Sequence, residues 1–187
     1  MDSFANKVVL VTGSGRGIGR AIALNFANRG ADVVVNFFRN RESAEETAIE
    51  IRSLGRKALL VKANIGSLEG INHLFDETER EFGGLDFFIS NAASGYNRPA
   101  MEQRAKGWDW SLNINARSLL FSAQRAVPLM ETRGGGAIVS LTSAGSHRVI
   151  PDYIVVGAGK AAQDALIRYL AVELASRNIQ VNAVSPG

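Results

Sequence analysis

The chain has no cysteine and only two histidines, His73 and His147, among its 187 residues. Disulfides, thiolate nucleophiles and cysteine zinc sites are thereby excluded, and two isolated imidazoles do not build a His-rich metal cage. No apolar run approaches the ~18 residues of a membrane span. The opening Met1-Asp2-Ser3-Phe4-Ala5-Asn6-Lys7 lacks the charged-then-apolar order of a signal peptide. The expectation is a cytoplasmic protein with no membrane partner. A large excess of one charge is missing too, since 21 Lys+Arg against 18 Asp+Glu leave +3. The aromatics sit mostly in apolar runs, so the basic stripe with interleaved rings that nucleic acid requires is absent, and nucleic acid is not expected as a partner. Anionic small molecules remain compatible. With 46% hydrophobic and 21% charged residues, 19 glycines and 4 prolines, a disordered, collagen-like or linker-dominated chain is excluded as well. Catalysis here has to rest on hydroxyls, amines, carboxylates or a borrowed cofactor.

What is present is a single domain's worth of alternating pattern. At roughly 100–200 residues per domain the length fits one domain with a full core. Short β-branched runs at 7–12, 32–37, 58–61, 85–90, 136–141 and 179–184 read as six buried strands. Between them, 17–29, 42–54, 67–82, about 100–132 and about 152–176 carry helical spacing, with Gly30, Gly55, Gly83 and Gly84 at helix ends. Strict β-α alternation with near-continuous apolar strands predicts a doubly wound parallel sheet, a Rossmann α/β fold with right-handed crossovers. Such sheets hold ligands at the carboxyl ends of their strands, near the switch in strand order. The loops after strands one, four and five are the ones to search.

Strand one runs directly into Thr12-Gly13-Ser14-Gly15-Arg16-Gly17-Ile18-Gly19 and then a helix. A Gly-x-x-x-Gly-x-Gly turn lets backbone N–H groups approach a pyrophosphate, and the helix N-terminus adds its positive dipole end. A glycine-rich turn alone also closes tight bends with no ligand present; the strand-turn-helix context is what points to a dinucleotide. At the end of strand two, where a carboxylate would hold the ribose 2′-OH of NAD, the segment is Val35-Asn36-Phe37-Phe38-Arg39-Asn40-Arg41. Arg16 with Arg39 or Arg41 suits a 2′-phosphate instead, so NADPH is the expected cofactor.

The order of these marks resembles the short-chain dehydrogenase/reductase family from strand one to the last residue. Beyond the glycine-rich turn, the resemblance rests on Ser90-Asn91-Ala92-Ala93 after strand four, Asn115 in the long fourth helix, Ser143 after strand five, Lys160, and Ser185-Pro186-Gly187. It implies that Gly13, Ser14, Arg16, Gly17, Ile18, Gly19, Asn36 and Arg39 form the phosphate and ribose end of the cofactor site. It further implies that Asn64 and Ile65 flank the adenine, that Asn91, Ala92 and Ala93 line the cleft, and that Pro186 and Gly187 approach the nicotinamide.

The position four before Lys160 and thirteen after Ser143, where that family usually carries a catalytic tyrosine, holds Val156. The nearby phenol is Tyr153, seven residues before Lys160. Seven residues at ~100° are some 20° short of two turns, so both side chains share one helix face. A ketone reductase needs its donor on the oxygen attached to the hydride-accepting carbon. An enoyl-thioester reductase delivers hydride three bonds from the oxygen that gains charge, and moving the phenol by ~4.5 Å along the helix suits that more distant oxyanion.

The Tyr-x6-Lys spacing is similar to that of the NADPH-dependent enoyl-acyl-carrier-protein reductases III. The implied roles are Tyr153 as donor to the enolate oxygen, Lys160 on the nicotinamide ribose, and Ser143 and Asn115 in support. The implied substrate is a trans-2-enoyl thioester on acyl carrier protein or coenzyme A, in fatty-acid or polyketide synthesis. A carbonyl or 3-ketoacyl reductase and a non-catalytic NADPH-binding subunit stand as alternatives. Arg98, Arg104, Lys106 and Arg148 suit an acidic carrier protein, and the two long helices suit a homodimer or homotetramer. Because the resembling family continues past Ser185-Pro186-Gly187 into a substrate lid and a last strand, the chain 1–187 is expected to be a C-terminally incomplete Rossmann domain that carries the catalytic residues.

Overall fold

A computed structural model describes residues 3–186. The elements are β1 (Val8–Val11), α1 (Gly17–Asn28), β2 (Asp32–Phe37), α2 (Arg41–Ser53), β3 (Ala58–Lys62), α3 (Leu68–Phe82), β4 (Phe87–Ser90), α4 (Ala105–Leu112), α5 (Ser118–Glu131), β5 (Gly136–Leu141), α6 (Ile154–Leu174) and β6 (Ile179–Val184). The six strands form one parallel sheet in the order β3-β2-β1-β4-β5-β6. This is the Rossmann arrangement expected from the alternation, with the switch in strand order between β1 and β4.

The two-residue period of β1 explains how the sheet is covered on both faces. Val8 and Leu10 pack with Phe75, Phe88, Leu119, Ile138 and Leu170 into one core layer. Val9 and Val11 point the other way, onto Ala23, Ala27, Val33 and Ile51 from α1, β2 and α2. All four β1 residues are buried, which is why the strand reads as a continuous apolar run. Phe75 and Phe88 meet edge to face, with ring centroids 5.5 Å apart.

The expected helix over about 100–132 is instead three pieces. A 3-10 turn spans Ala100–Glu102, and extended Gln103 and Arg104 separate it from α4. A π turn over Asn113–Arg117 then joins α4 to α5. Long-range bonds cause the breaks: Arg98 N–H donates to the Asp152 carbonyl at 2.8 Å, and Asn115 is drawn inward by the loop after β4. Helix α6 begins at Ile154, later than expected, because Asp152 sits in the left-handed region at φ 61°. Lys7, Thr12, Leu85 and Asp86 fall just outside β1 and β4. The Asp86 carboxylate accepts from Val8 N–H and Lys7 Nζ, each at 2.9 Å, and so caps the sheet's amino end.

Candidate active site

The glycine-rich turn is built before any ligand is considered. Gly13 and Gly17 take φ of 65° and 57°, the left-handed region that glycine enters without strain. Ser14 Oγ donates to the Val11 carbonyl at 2.8 Å and accepts from Asn36 N–H at 3.1 Å. Asn36 Oδ1 accepts from Gly13 N–H at 3.2 Å, while its Nδ2 donates to the Ala63 carbonyl at 3.2 Å. From the other side, Thr12 Oγ1 accepts from Asn91 N–H and Ala92 N–H, each at 3.0 Å. The turn is thus tied to β2, to the segment after β3 and to the loop after β4. A Cβ on Gly19 would meet the Gly13 carbonyl oxygen at 2.5 Å and the Asn91 amide nitrogen, so the first turn of α1 closes on the loop only because that side chain is absent.

Above this turn lies a cleft of about 590 Å³ at the β1/β4 switch point. Gly13, Arg16, Gly17, Ile18, Gly19, Asn36, Arg39, Asn64, Ile65, Asn91, Ala92 and Ala93 all border it. Ser14 is fully buried and does not border it, and the Asn36 amide is spent on holding the loop. Exposed Pro186 and buried Lys160 border it no more than Ser14 does, and Gly187 lies outside the described residues. Of the two arginines left open after β2, Arg39 borders the cleft and rests near the Phe38 and Trp110 rings at 5.9 and 5.8 Å, whereas Arg41 pairs with Glu45 at 2.7 Å. No carboxylate borders the cleft among the described residues. The α1 N-terminus carries neither a side-chain cap nor an acidic residue in its first turn, which leaves its N–H groups and dipole free for an anion. Ser43 Oγ in the same wall is buried without a hydrogen-bond partner. A glycine cradle, an orphaned hydroxyl and cationic walls fit a phosphorylated dinucleotide.

Two residues of that wall, Ser43 and Trp110, were not expected there, although the Trp108-Asp109-Trp110 run is itself one of the marks of the resemblance. Trp110 Nε1–H donates to Ser94 Oγ at 2.9 Å, so α4 grips the loop after β4. Periodicity does not separate Trp110 from ordinary packing, because its bond to Ser94 spans 16 residues.

The expected catalytic side chains gather around the start of α6. Tyr153 is the residue that precedes the helix, its carbonyl accepting from Gly157 N–H at 2.7 Å, and its ring lies against Gly145. Its hydroxyl reaches Ser143 Oγ at 3.5 Å, the outer limit of a hydrogen bond. Both Tyr153 and Gly145 border a second, apolar-walled cavity of about 460 Å³, with Val149, Ile150 and Ile154. Val156, at the usual tyrosine position, is buried, and a Cβ on Gly95 would collide with it.

Asn115 is buried in the π turn, a distortion of the kind found at functional sites. Its Oδ1 accepts from Ser94 N–H at 3.2 Å and its Nδ2 donates to the Ser94 carbonyl at 2.6 Å. Lys160 is buried beneath β5, with Nζ donating to the Leu141 carbonyl at 2.6 Å and to Gln163 Oε1 at 3.0 Å. Burial pulls its ammonium from the ordinary 10.5 down to about 8, against a smaller opposing pull from the Asp164 carboxylate.

A six-stranded Rossmann sheet with this cradle and with Ser143, Tyr153 and Lys160 around the start of α6 defines the class. The chain belongs to the short-chain dehydrogenase/reductase family: a family profile described as Enoyl-(acyl carrier protein) reductase matches residues 13–187. It is 42% identical over 181 residues to 1-cyclohexenylcarbonyl-CoA reductase of Streptomyces collinus, covering 97% of this chain and 64% of that protein. It is 39% identical over 186 residues to a hydroxynaphthalene reductase-like protein of Metarhizium brunneum, covering 99% of this chain and 69% of the relative. Among solved structures, a 7α-hydroxysteroid dehydrogenase complexed with NADH and 7-oxo glycochenodeoxycholic acid superposes with a TM-score of 0.94 at 31% identity, over 100% of this chain and 72% of the other.

Proposed function

We propose that the protein uses NADPH to reduce the carbon–carbon double bond of trans-2-enoyl thioesters, carried on acyl carrier protein or coenzyme A. The observation that carries this reading is the phenol at Tyr153 with a buried valine at 156. The nicotinamide, when bound, supplies the hydride. Tyr153, beside Ser143 Oγ, donates a hydrogen bond to the thioester oxygen as charge grows there, one helical turn before the usual site. Lys160 holds the cofactor ribose and adds positive charge, Arg16 and Arg39 take the 2′-phosphate, and Asn115 fixes Ser94 at the cleft wall. The family profile's description and the 42% identity to a reductase of a cyclohexenylcarbonyl thioester support the substrate class. Exposed Arg104, Lys106 and Arg148, with half-buried Arg98, supply a basic rim for an acidic carrier.

A second reading, reduction of a ketone on a bulky ring, is favoured by the 39% identity to a hydroxynaphthalene reductase-like protein. NADPH oxidation with crotonyl and acetoacetyl thioesters separates the two. Turnover of the crotonyl substrate is expected, abolished or lowered at least a hundredfold in Tyr153→Phe. Turnover of the keto substrate alone overturns the first reading, and tight NADPH binding with no turnover of either favours a cofactor-binding subunit. Self-association through α5 and α6, as a dimer or tetramer, completes the proposal.

A further inference from the structure

Beyond Lys160 itself, the buried polar chain under β5 is not used by anything described so far. Lys160 Nζ has three N–H donors, and two of them end on the Leu141 carbonyl and on Gln163 Oε1. Gln163 is itself 2% exposed, and its Nε2 donates to Ser140 Oγ at 2.6 Å, with Ser140 fully buried. The ammonium fixes which way the amide faces, since the opposite flip would set an NH₂ group against it, and the NH₂ group is thereby turned onto Ser140 Oγ. Ser140 and Leu141 are consecutive residues of β5, so one strand end holds the lysine twice, once directly and once through the glutamine. Around this cluster α6 buries apolar side chains, Val155, Val156, Ile167 and Leu170. A leucine at 163 would pack there without the desolvation cost of an amide, which is several kcal/mol when the amide is unpaired. An amide in that place is explained by the ammonium it faces.

We infer that Gln163 is a positioning residue for Lys160, its amide, anchored on Ser140, holding the ammonium at the carboxyl end of β5 with one N–H left for the cofactor ribose. The inference rests on the proposed contact between Lys160 and the cofactor. Four proteins test it: Gln163→Leu, Gln163→Glu, Lys160→Met and the double variant Gln163→Leu/Lys160→Met. The readouts are the NADPH dissociation constant from nucleotide fluorescence, and the thermal midpoint. Gln163→Leu is expected to weaken NADPH binding roughly tenfold, the effect of losing one hydrogen bond to a charged group, with the midpoint lowered because the buried ammonium and the Ser140 hydroxyl each lose a partner. Gln163→Glu keeps an acceptor facing the ammonium and is expected to bind within about threefold of the parent, by the same reasoning. In the Lys160→Met background, Gln163→Leu should add nothing, because the two residues act as one unit.

Wild-type binding by Gln163→Leu, while Lys160→Met is impaired, overturns the role of Gln163 and leaves that of Lys160 standing. Equal losses in Gln163→Leu and Gln163→Glu, or a full additional loss in the double variant, assign Gln163 to packing and overturn the inference. Unchanged binding by Lys160→Met removes the lysine–cofactor contact and the inference with it.

Discussion

Lys160 shows how much a single side chain sets in this protein. Its ammonium is buried and its pKa falls to about 8 from 10.5. Below pH about 8 the lysine is charged in both the folded and the unfolded chain, and the cost of burying that charge is constant. Between about 8 and 10.5 the folded protein releases the proton first. The unfolded state then binds more protons, and stability rises with pH. Urea denaturation of wild type and Lys160→Met across this window should show the wild-type disadvantage shrinking by up to on the order of 3 kcal/mol. Over the same window NADPH affinity should fall in the wild type only, as the ribose loses its cation.

Arg39 tests the choice of cofactor at the same scale. Held against Phe38 and Trp110 at the cleft rim, its guanidinium is placed for a phosphate, whereas Arg41 is taken by Glu45. Arg39→Ala should weaken NADPH binding at least tenfold, one charge-assisted contact, and leave NADH binding unchanged in parallel titrations. Which of the two arginines borders the cleft was not legible in the sequence, because Arg39 is held there beside the Trp110 ring, which is distant in sequence.

The elements themselves were largely legible. All six strands lie where the β-branched runs lie; β1, β2 and β4, covered on both faces, read as continuous apolar runs, while β6 alternates buried Ile179 and Val181 with exposed Gln180 and Asn182. The helix joint at Asn113–Arg117 was not legible. It is fixed by Asn115 bonding to the Ser94 backbone, 21 residues away in sequence. Helical period carries no trace of such a contact. Removing it with Asn115→Ala leaves the half-buried Ser94 N–H without its partner and the Ser94 carbonyl with the Ser111 hydroxyl alone, and should cost about 1 kcal/mol of stability in urea unfolding. The glycine turn was legible as a motif, but not why Gly19 is indispensable. A Cβ there strikes the Gly13 carbonyl and the Asn91 amide, neither of which can yield without opening the loop. Gly19→Ala should therefore cost about 1–3 kcal/mol and abolish NADPH binding together, in urea unfolding and nucleotide titration.

For the whole molecule, the decisive feature is the side of α6 turned away from the sheet. Ile154, Ala158, Ala161, Ala165, Tyr169 and Val172 recur at steps of three and four along it, and Tyr169 and Val172 are 71% and 79% exposed. The opposite side of the same helix carries Lys160, Gln163, Ile167 and Leu170, all buried. A long apolar stripe rarely faces water in a protein that stays single, and stripes on long helices pair by ridges into grooves. Light scattering should give a mass at least twice the 20.1 kDa of one chain. Tyr169→Asp with Val172→Asp places two charges where each would be desolvated, and should weaken association at least a hundredfold, taking roughly tenfold per central residue. Because the stripe and the lysine lie on opposite sides of α6, the same double variant should bind NADPH as the parent does. A variant that dissociates and also loses NADPH would mean that the site needs the second copy. A variant that stays associated would place the contact elsewhere on the fold.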